Sequence, residues 1–571
     1  MARKVSKIIV DALVQAGAQR CYGVVGDTIN HFTDAVRESP LRWIHVRHEE
    51  VGALAAGGES YLSGELSVCA GTCGPGTLHF VNGIFESHRN GAPVVLIASD
   101  IARTEAGLHF PQEVDQRKIY EQTSVFCEYI SHPSQARRIT TLAAQAALTQ
   151  GGVAVVIVNG DMFKESDDDK LEWAVHRGHG ITRPPDAELD KLAEALNAAG
   201  SVTLYAGYGA RKAHDQVVAL AHKLKAPVAH SSRAKEFIEP NNPCNIGMIG
   251  ILGNRAGMDA VGSSDITLCL GTDFAWTQFY PARQHVIQID TDPTHLGRRA
   301  PIEMGLVGDV GATIEALLPR LKADKGDTHF NKARAQWEKD LDGYAQAEKD
   351  PDPALLHPQR VTKMLDKLAA DDAIFTADGG SPMVWLLRHL TANGQRRFLT
   401  SLLHGTMANA YPQALGMVAA NPGRQVIAMC GDGGLTMLMG DLLTLRQEKL
   451  PLKLLVYNNG SLGFVEMEQR VEGLLDAFTA LENPDFVKLA EACGLKGWSV
   501  EKDGDLEPAM REWLAADGPA LLDVHVNRME LVMPPKVEMA QVASTAMFGL
   551  KAVFNGRTSE VVNLFRDNFL R

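Results

Sequence analysis

The stretch Gln425–Phe464, QVIAMCGDGGLTMLMGDLLTLRQEKLPLKLLVYNNGSLGF, constrains this chain more than any other. It opens on an apolar run, Val426-Ile427-Ala428-Met429-Cys430, of the length of a buried strand. Gly431-Asp432-Gly433-Gly434 ends that run. A helical pattern follows, with Leu435, Leu438, Met439, Leu442 and Leu445 on one side. Beyond Pro451, Lys453-Leu454-Leu455-Val456-Tyr457 reads as a second strand ending in Asn458-Asn459. A strand–helix–strand unit sets the two strand ends side by side at the carboxyl edge of a parallel sheet. Asp432 and Asn459 are thereby brought together. A carboxylate, an amide oxygen and a backbone carbonyl suit a hard divalent cation that keeps positions open for a diphosphate. Glycines let backbone N–H groups approach phosphate oxygens, and a helix N-terminus favours negative charge. Gly-Asp-Gly is also an ordinary turn, so the tripeptide alone decides nothing.

With 571 residues the chain exceeds one hydrophobic core, and two to four domains are expected. A net charge of −13 argues against nucleic acid as a partner. The eight cysteines are scattered, with no metal-ligand spacing, and read as reduced core thiols of a cytosolic protein. The N-terminal segment is an amphipathic helix too polar for a signal peptide, and no apolar run reaches membrane-spanning length.

Residues 1–185 alternate strand and helix patterns. Buried strands are expected at Val94-Val95-Leu96-Ile97-Ala98 and over 153–158. Glu49 falls after the strand Trp43-Ile44-His45-Val46 and before an Ala/Gly-rich helix, at the sheet edge where ligands bind. An acidic residue there also favours the helix dipole and needs no other purpose. Pro184-Pro185 marks a linker to a second alternating region, 186–335, where Gly207-Tyr208-Gly209 is a weak nucleotide signal. Asp290 ends a strand, where a carboxylate can accept ribose hydroxyls. A proline-punctuated linker precedes a third region, 350–530, and residues 531–571 form a distinct tail. The tail's Val561, Val562, Phe565 and Phe569 make a helical apolar stripe beside Arg557, Arg566 and Arg571. By composition it reads as a docked helix, although aromatics opposite arginines also suit a helix lying in a membrane interface. The fold class is therefore α/β: three doubly wound parallel-sheet domains plus a C-terminal amphipathic helical tail.

The interval from Gly431-Asp432-Gly433 to Asn458-Asn459 resembles the signature of thiamine-diphosphate enzymes. RHEEVGALAAG, GTCGPGTLHFVNGIFESHRN, HGTMANAYPQALG and VYNNGSLGFVEME extend the resemblance over nearly the whole chain. It is nearest to the pyruvate oxidase family, specifically the bacterial membrane-associated pyruvate:quinone oxidoreductases. That resemblance implies oxidative decarboxylation of pyruvate to acetate and CO2 through a thiamine diphosphate enamine. Electrons would pass through FAD to a membrane quinone. It implies a thiamine pyrimidine-binding domain at 1–185, an FAD-binding domain at 186–335, a thiamine diphosphate and Mg²⁺ domain at 350–530, and a lipid-binding tail at 531–571. A homotetramer peripheral to the inner face of the cell membrane is implied as well.

Residue by residue, the resemblance makes Glu49 the group that activates the aminopyrimidine and Met407 the wedge that bends the cofactor. Gly405 and Thr406, just before Met407 in the same loop, would bind the cofactor with it. Gln112 and Phe464 would complete the catalytic set, although core packing is an equally plain reading of Phe464. Asp432, Asn459 and the Ser461 carbonyl would hold the metal, with Gly433 and Gly434 against the diphosphate. FAD would lie along Gly250-Ile251-Leu252-Gly253, Asp273, Phe274, Thr277, Asp290 and Thr291. Phe110-Pro111-Gln112-Glu113 departs from the family's Phe-Gln-Glu, because proline fixes φ and lacks an N–H. A changed pocket wall is thus expected, one able to admit a different or larger 2-oxo acid. An acetolactate-synthase-like carboligase with non-redox FAD is the alternative, and a non-catalytic scaffold on the same fold is a third.

Overall fold

The computed structural model describes residues 2–178, 180–274, 285–322, 325–349, 356–528 and 530. Three six-stranded sheets, parallel throughout, organise it. The N-terminal sheet is built from Arg20–Gly23 (β1), Arg42–His45 (β2), Ser67–Gly71 (β3), Val94–Asp100 (β4), Phe126–Tyr129 (β5) and Val153–Asn159 (β6). The central sheet uses Val202–Ala206 (β7), Val228–His230 (β8), Asn245–Met248 (β9), Ile266–Leu270 (β10), His285–Asp290 (β11) and Met304–Val307 (β12). The C-terminal sheet uses Ile374–Ala377 (β13), Arg397–Thr400 (β14), Val426–Gly431 (β15), Lys453–Asn458 (β16), Lys496–Val500 (β17) and Ala520–His525 (β18).

The two outer sheets share one strand order. It reads β2-β1-β3-β4-β6-β5 in the first and β14-β13-β15-β16-β18-β17 in the last. The central sheet differs. Its order, β9-β8-β7-β10-β11-β12, is the 3-2-1-4-5-6 arrangement of dinucleotide-binding folds. β4, β6 and β13 are buried along their whole length, and β15 up to Gly431, as strands covered on both faces must be.

The outer domains are joined by two helices, Glu49–Ser63 (α1) and Ala410–Ala420 (α4). Three others matter for the site between and beyond them: Val81–Asn90 (α2), Ser381–His389 (α3) and Asp432–Leu438 (α5). Small residues let α1 and α4 touch backbone to backbone. A Cβ on Gly58 would fall 2.3 Å from the Gln413 carbonyl oxygen. One hydrophobic cluster accordingly runs from Tyr22, Ala55 and Leu96 through Ala414 to Val456.

The single helix expected over Leu435–Leu445 is broken. α5 ends at Leu438, a 3-10 turn covers Met439–Asp441, and a new helix, Leu442–Gln447 (α6), follows. Leu435, Leu442 and Leu445 are buried but Met439 is exposed. The cause is tertiary: the Asp441 carboxylate accepts the N–H groups of Arg47 and His48, at 2.7 and 2.9 Å. All eight cysteines are free, and seven are buried. Among the described residues no helix is long and apolar enough to cross a membrane. The tail at 531–571 and Thr277 lie outside the described residues.

Candidate active site

β15 and β16 are adjacent and parallel, so their carboxyl ends set Asp432 beside Asn458-Asn459. Asp432 is the first residue of α5 and is buried. Its Oδ2 accepts from the Gly460 N–H at 2.7 Å and from the Asn483 amide at 2.8 Å, and its Oδ1 accepts from the Gly433 N–H at 2.8 Å. Burial pushes its pKa up, against the pull of these neutral donors. Those bonds fill Oδ2, while Oδ1, with one donor, keeps lone-pair capacity for a further partner. Asn459 Oδ1 accepts from the Ser461 N–H at 3.0 Å, which closes the loop on itself. A buried carboxylate with no cationic partner among the described residues, an amide oxygen and a loop carbonyl are hard oxygen donors that fit Mg²⁺. Among the described residues no group of three His, Cys, Asp or Glu side chains could hold a metal.

Two residues beneath this corner are absent from the sequence-level set. Asn483 bridges Asp432 and Asn458 Oδ1, the latter at 3.0 Å. Asp378 follows β13 and is buried. Its oxygens accept from the Ala410 N–H at 2.9 Å and the Gly431 N–H at 3.0 Å, while desolvation lifts its pKa to about 7. Gly434 is required here, because its Cβ would lie 2.2 Å from Asp378 Oδ2. Gly433 faces Met407: a Cβ there would lie 3.4 Å from Met407 Cε. The loop carrying Met407 thus reaches the Gly431–Gly434 turn.

Glu49 opens α1 at the carboxyl edge of the N-terminal sheet and is buried. His79 Nδ1 donates to Glu49 Oε2 at 3.0 Å, and the His79 ring stacks on His48 at 4.7 Å. The Gly74-Pro75-Gly76 turn packs alongside, with the Gly76 Cβ position 3.5 Å from Glu49 Oε1. Gln112 has φ +69 and is exposed. Its Oε1 accepts from Cys73 Sγ at 3.1 Å, and its Cβ lies 2.6 Å from the Gly74 Cβ position. Pro111 is exposed in the same loop.

The Glu49 and Asp432 corners are tied by side chains of α2 and the segment before α4. Asn82 donates to Glu50 Oε1 at 2.6 Å and to Thr406 Oγ1 at 3.0 Å, and accepts from His404 Nε2 at 2.7 Å. Glu86, fully buried, accepts from Ser401 Oγ at 2.7 Å, and that oxygen in turn accepts from the Thr406 N–H at 2.9 Å. Gly405 sits at φ +77 between them. Phe464 is half-buried and packs on the C-terminal core.

In the central domain, Gly250–Gly253 follows β9, Asp273 and Phe274 follow β10, and Asp290 and Thr291 end or follow β11. All three segments share one carboxyl edge. Four strand spacings of about 4.8 Å separate β9 from β11, roughly 19 Å, a span for an extended dinucleotide. Gly250 has φ +113, and Arg388 of α3 donates to the Leu252 carbonyl at 3.1 Å. Leu252 is buried in the C-terminal core. Asp290 accepts from His295 Nδ1 at 3.2 Å, and Thr291 is exposed. Asp273 is paired with Arg298, at 2.6 Å, and Phe274 is buried against Tyr205. The Gly207-Tyr208-Gly209 turn is filled: a Cβ on Gly207 would lie 2.2 Å from Thr272 Cβ.

Fold and domain matches together place the chain among thiamine-diphosphate enzymes. Models of thiamine pyrophosphate enzymes match all three domains: the N-terminal TPP binding domain over 3–119, the central domain over 189–317 and the C-terminal TPP binding domain over 378–524. The chain belongs to the thiamine pyrophosphate enzyme family. It is 33% identical over 570 residues, 99% of each chain, to the putative thiamine pyrophosphate-containing protein YdaP of Bacillus subtilis. It is 27% identical to the pyruvate oxidase of Lactiplantibacillus plantarum, over 94% of this chain and 91% of that one. It is 28% identical to the acetolactate synthase isozyme 2 large subunit of Escherichia coli, over 92% and 96%.

Proposed function

We propose that this chain oxidatively decarboxylates pyruvate, or a close 2-oxo acid, using thiamine diphosphate, Mg²⁺ and FAD. In balanced form, pyruvate, water and a quinone give acetate, CO2 and the quinol. The observation that carries the reading is Asp432, a buried carboxylate raised by desolvation and met by neutral N–H donors beside Asn459 and Ser461. Those three residues would hold Mg²⁺, and the N–H groups around Gly433 and Gly434 would meet the diphosphate. Bound thiamine diphosphate supplies a thiazolium that accepts the electron pair left when CO2 departs. Glu49 would hydrogen-bond the aminopyrimidine, and His79 fixes the Glu49 carboxylate for that purpose. Met407 would set the cofactor's bend. Gln112 would line the substrate pocket, and half-buried Phe464 would border it. Calorimetry tests the core of this reading. Thiamine diphosphate should bind only with Mg²⁺, and Asp432→Ala should abolish that dependence; equal affinity with and without metal refutes it.

FAD supplies a two-electron acceptor. The central sheet's strand order and the carboxyl edge holding Gly250–Gly253, Asp273 and Asp290 support its place there. The tail at 531–571 would give a membrane quinone access to the flavin, with the enzyme peripheral to the membrane and tetrameric. Deleting residues after about 548 should spare dye reduction and remove lipid stimulation. Liposome binding that survives the deletion refutes the tail's part. Similarity to the acetolactate synthase subunit, at 28% identity against 27% for the pyruvate oxidase, favours one second reading: carboligation with a flavin that stays oxidised.

A further inference from the structure

A buried charge cluster lies behind the metal loop. Glu466 belongs to the helix Gly463–Val471 (α7) and is 1% exposed. Its Oε2 accepts from the Ser461 hydroxyl and, at 3.1 Å, from Arg528 Nε. Its Oε1 accepts from Arg470, itself 1% exposed. Arg528 follows β18, so the end of the last strand is tied to the loop at the end of β16. Asp476 lies 3.7 Å from Arg470 Nε and extends the cluster.

We infer that Glu466, held by Arg470 and Arg528, is a positioning residue that fixes the Ser461 carbonyl toward the metal through the Ser461 hydroxyl. This rests on Ser461 being the loop-carbonyl ligand. A carbonyl ligand is useful only if its peptide plane does not rotate. Ser461 is held on both sides: its N–H donates to Asn459 Oδ1, and its bridge to Ala480 is closed by the Leu462 N–H on the Thr479 carbonyl and the Leu481 N–H on the Gly460 carbonyl. The hydroxyl tether adds a side-chain anchor at the Cα from which that carbonyl leaves. Burying a carboxylate between two guanidinium groups is a costly way to satisfy one serine hydroxyl. Its rigidity is what a preorganised ligand gains, as in the outer shells that orient metal ligands. The cluster uses no group of the aminopyrimidine corner.

The test uses the full chain with thiamine diphosphate and Mn²⁺ as the probe, read by electron paramagnetic resonance. Ser461→Ala keeps the carbonyl and removes the tether. Mn²⁺ affinity should fall about tenfold, equivalent to about 1.4 kcal/mol. Ser461→Thr should restore it. Arg528→Met should weaken Mn²⁺ binding and Arg528→Lys should recover part of the loss. Melting of the metal-free protein should be unchanged in Ser461→Ala. Mn²⁺ binding to Ser461→Ala at wild-type strength overturns the proposal, as does a loss that only tracks a lowered melting temperature. A wild-type chain that binds no Mn²⁺ at all overturns the metal reading itself, and this inference with it.

Discussion

Gly416 approaches Ala55 so closely that a Cβ on the glycine would lie 1.8 Å from the Ala55 carbonyl oxygen. The contact joins α4 to α1, hence the C-terminal domain to the helix that begins at Glu49. Backbone cannot yield there as a flexible side chain would. Gly416→Ala should destabilise the chain by about 1–3 kcal/mol, the usual cost of overpacking. Denaturant melting monitored by circular dichroism would show it, and an unshifted midpoint would show that the helices are not packed this tightly.

Glu49→Gln keeps the shape of the side chain and removes its charge. Turnover should drop by about 10²–10⁴-fold, the range for a lost acid–base group. Thermal melting should change little, because Gln can still accept from His79. Near-normal turnover by the variant would remove Glu49 from the chemistry.

Asn82→Ala cuts three bonds at once, to Glu50, Thr406 and His404. The Met407 loop then loses its anchor on α2. Losing buried hydrogen bonds costs about 1–3 kcal/mol. Weaker thiamine diphosphate binding by calorimetry is the expected result, and unchanged affinity would show that the loop holds its place without Asn82.

Asp378 gives a pH signature. Its folded pKa, lifted to about 7, exceeds the ordinary carboxylate value of 3.8. Below about pH 4 both folded and unfolded states hold the proton; between there and pH 7 only the folded state does. Its contribution to stability is therefore complete at acid pH and is lost as pH rises toward and through 7. Melting temperatures of the metal-free chain, taken from pH 5 to 8, should flatten in Asp378→Asn relative to wild type. Parallel profiles would mean that Asp378 stays ionised throughout.

Much of the Asp432–Asn459 juxtaposition was legible in sequence because its parts are local. A strand, a glycine turn and a second strand ending in Asn458-Asn459 fix their own geometry once the sheet is parallel. Glu49 was legible for the same reason, at a strand-to-helix junction. The residues that hold those groups were not. Asn483 reaches Asp432 across 51 residues from irregular backbone, and Asp378 reaches Gly431 across 53. Neither contact leaves a periodic trace. Asp441 defeated the helical pattern outright, since its bonds to Arg47 and His48 come from another domain. The strands Phe126–Tyr129, Arg397–Thr400 and Lys496–Val500 carry no strong apolar alternation; each lies at the edge of its sheet, where the hydrophobic requirement is weakest.

Anaerobic mixing of the purified chain with pyruvate, thiamine diphosphate and Mg²⁺, followed by flavin absorbance, tests the central claim most directly. Bound FAD should bleach within turnover time, with release of CO2 and acetate, and Glu49→Gln should leave it oxidised. CO2 release with the flavin still oxidised, and acetolactate in place of acetate, would contradict the oxidative reading and establish the carboligase.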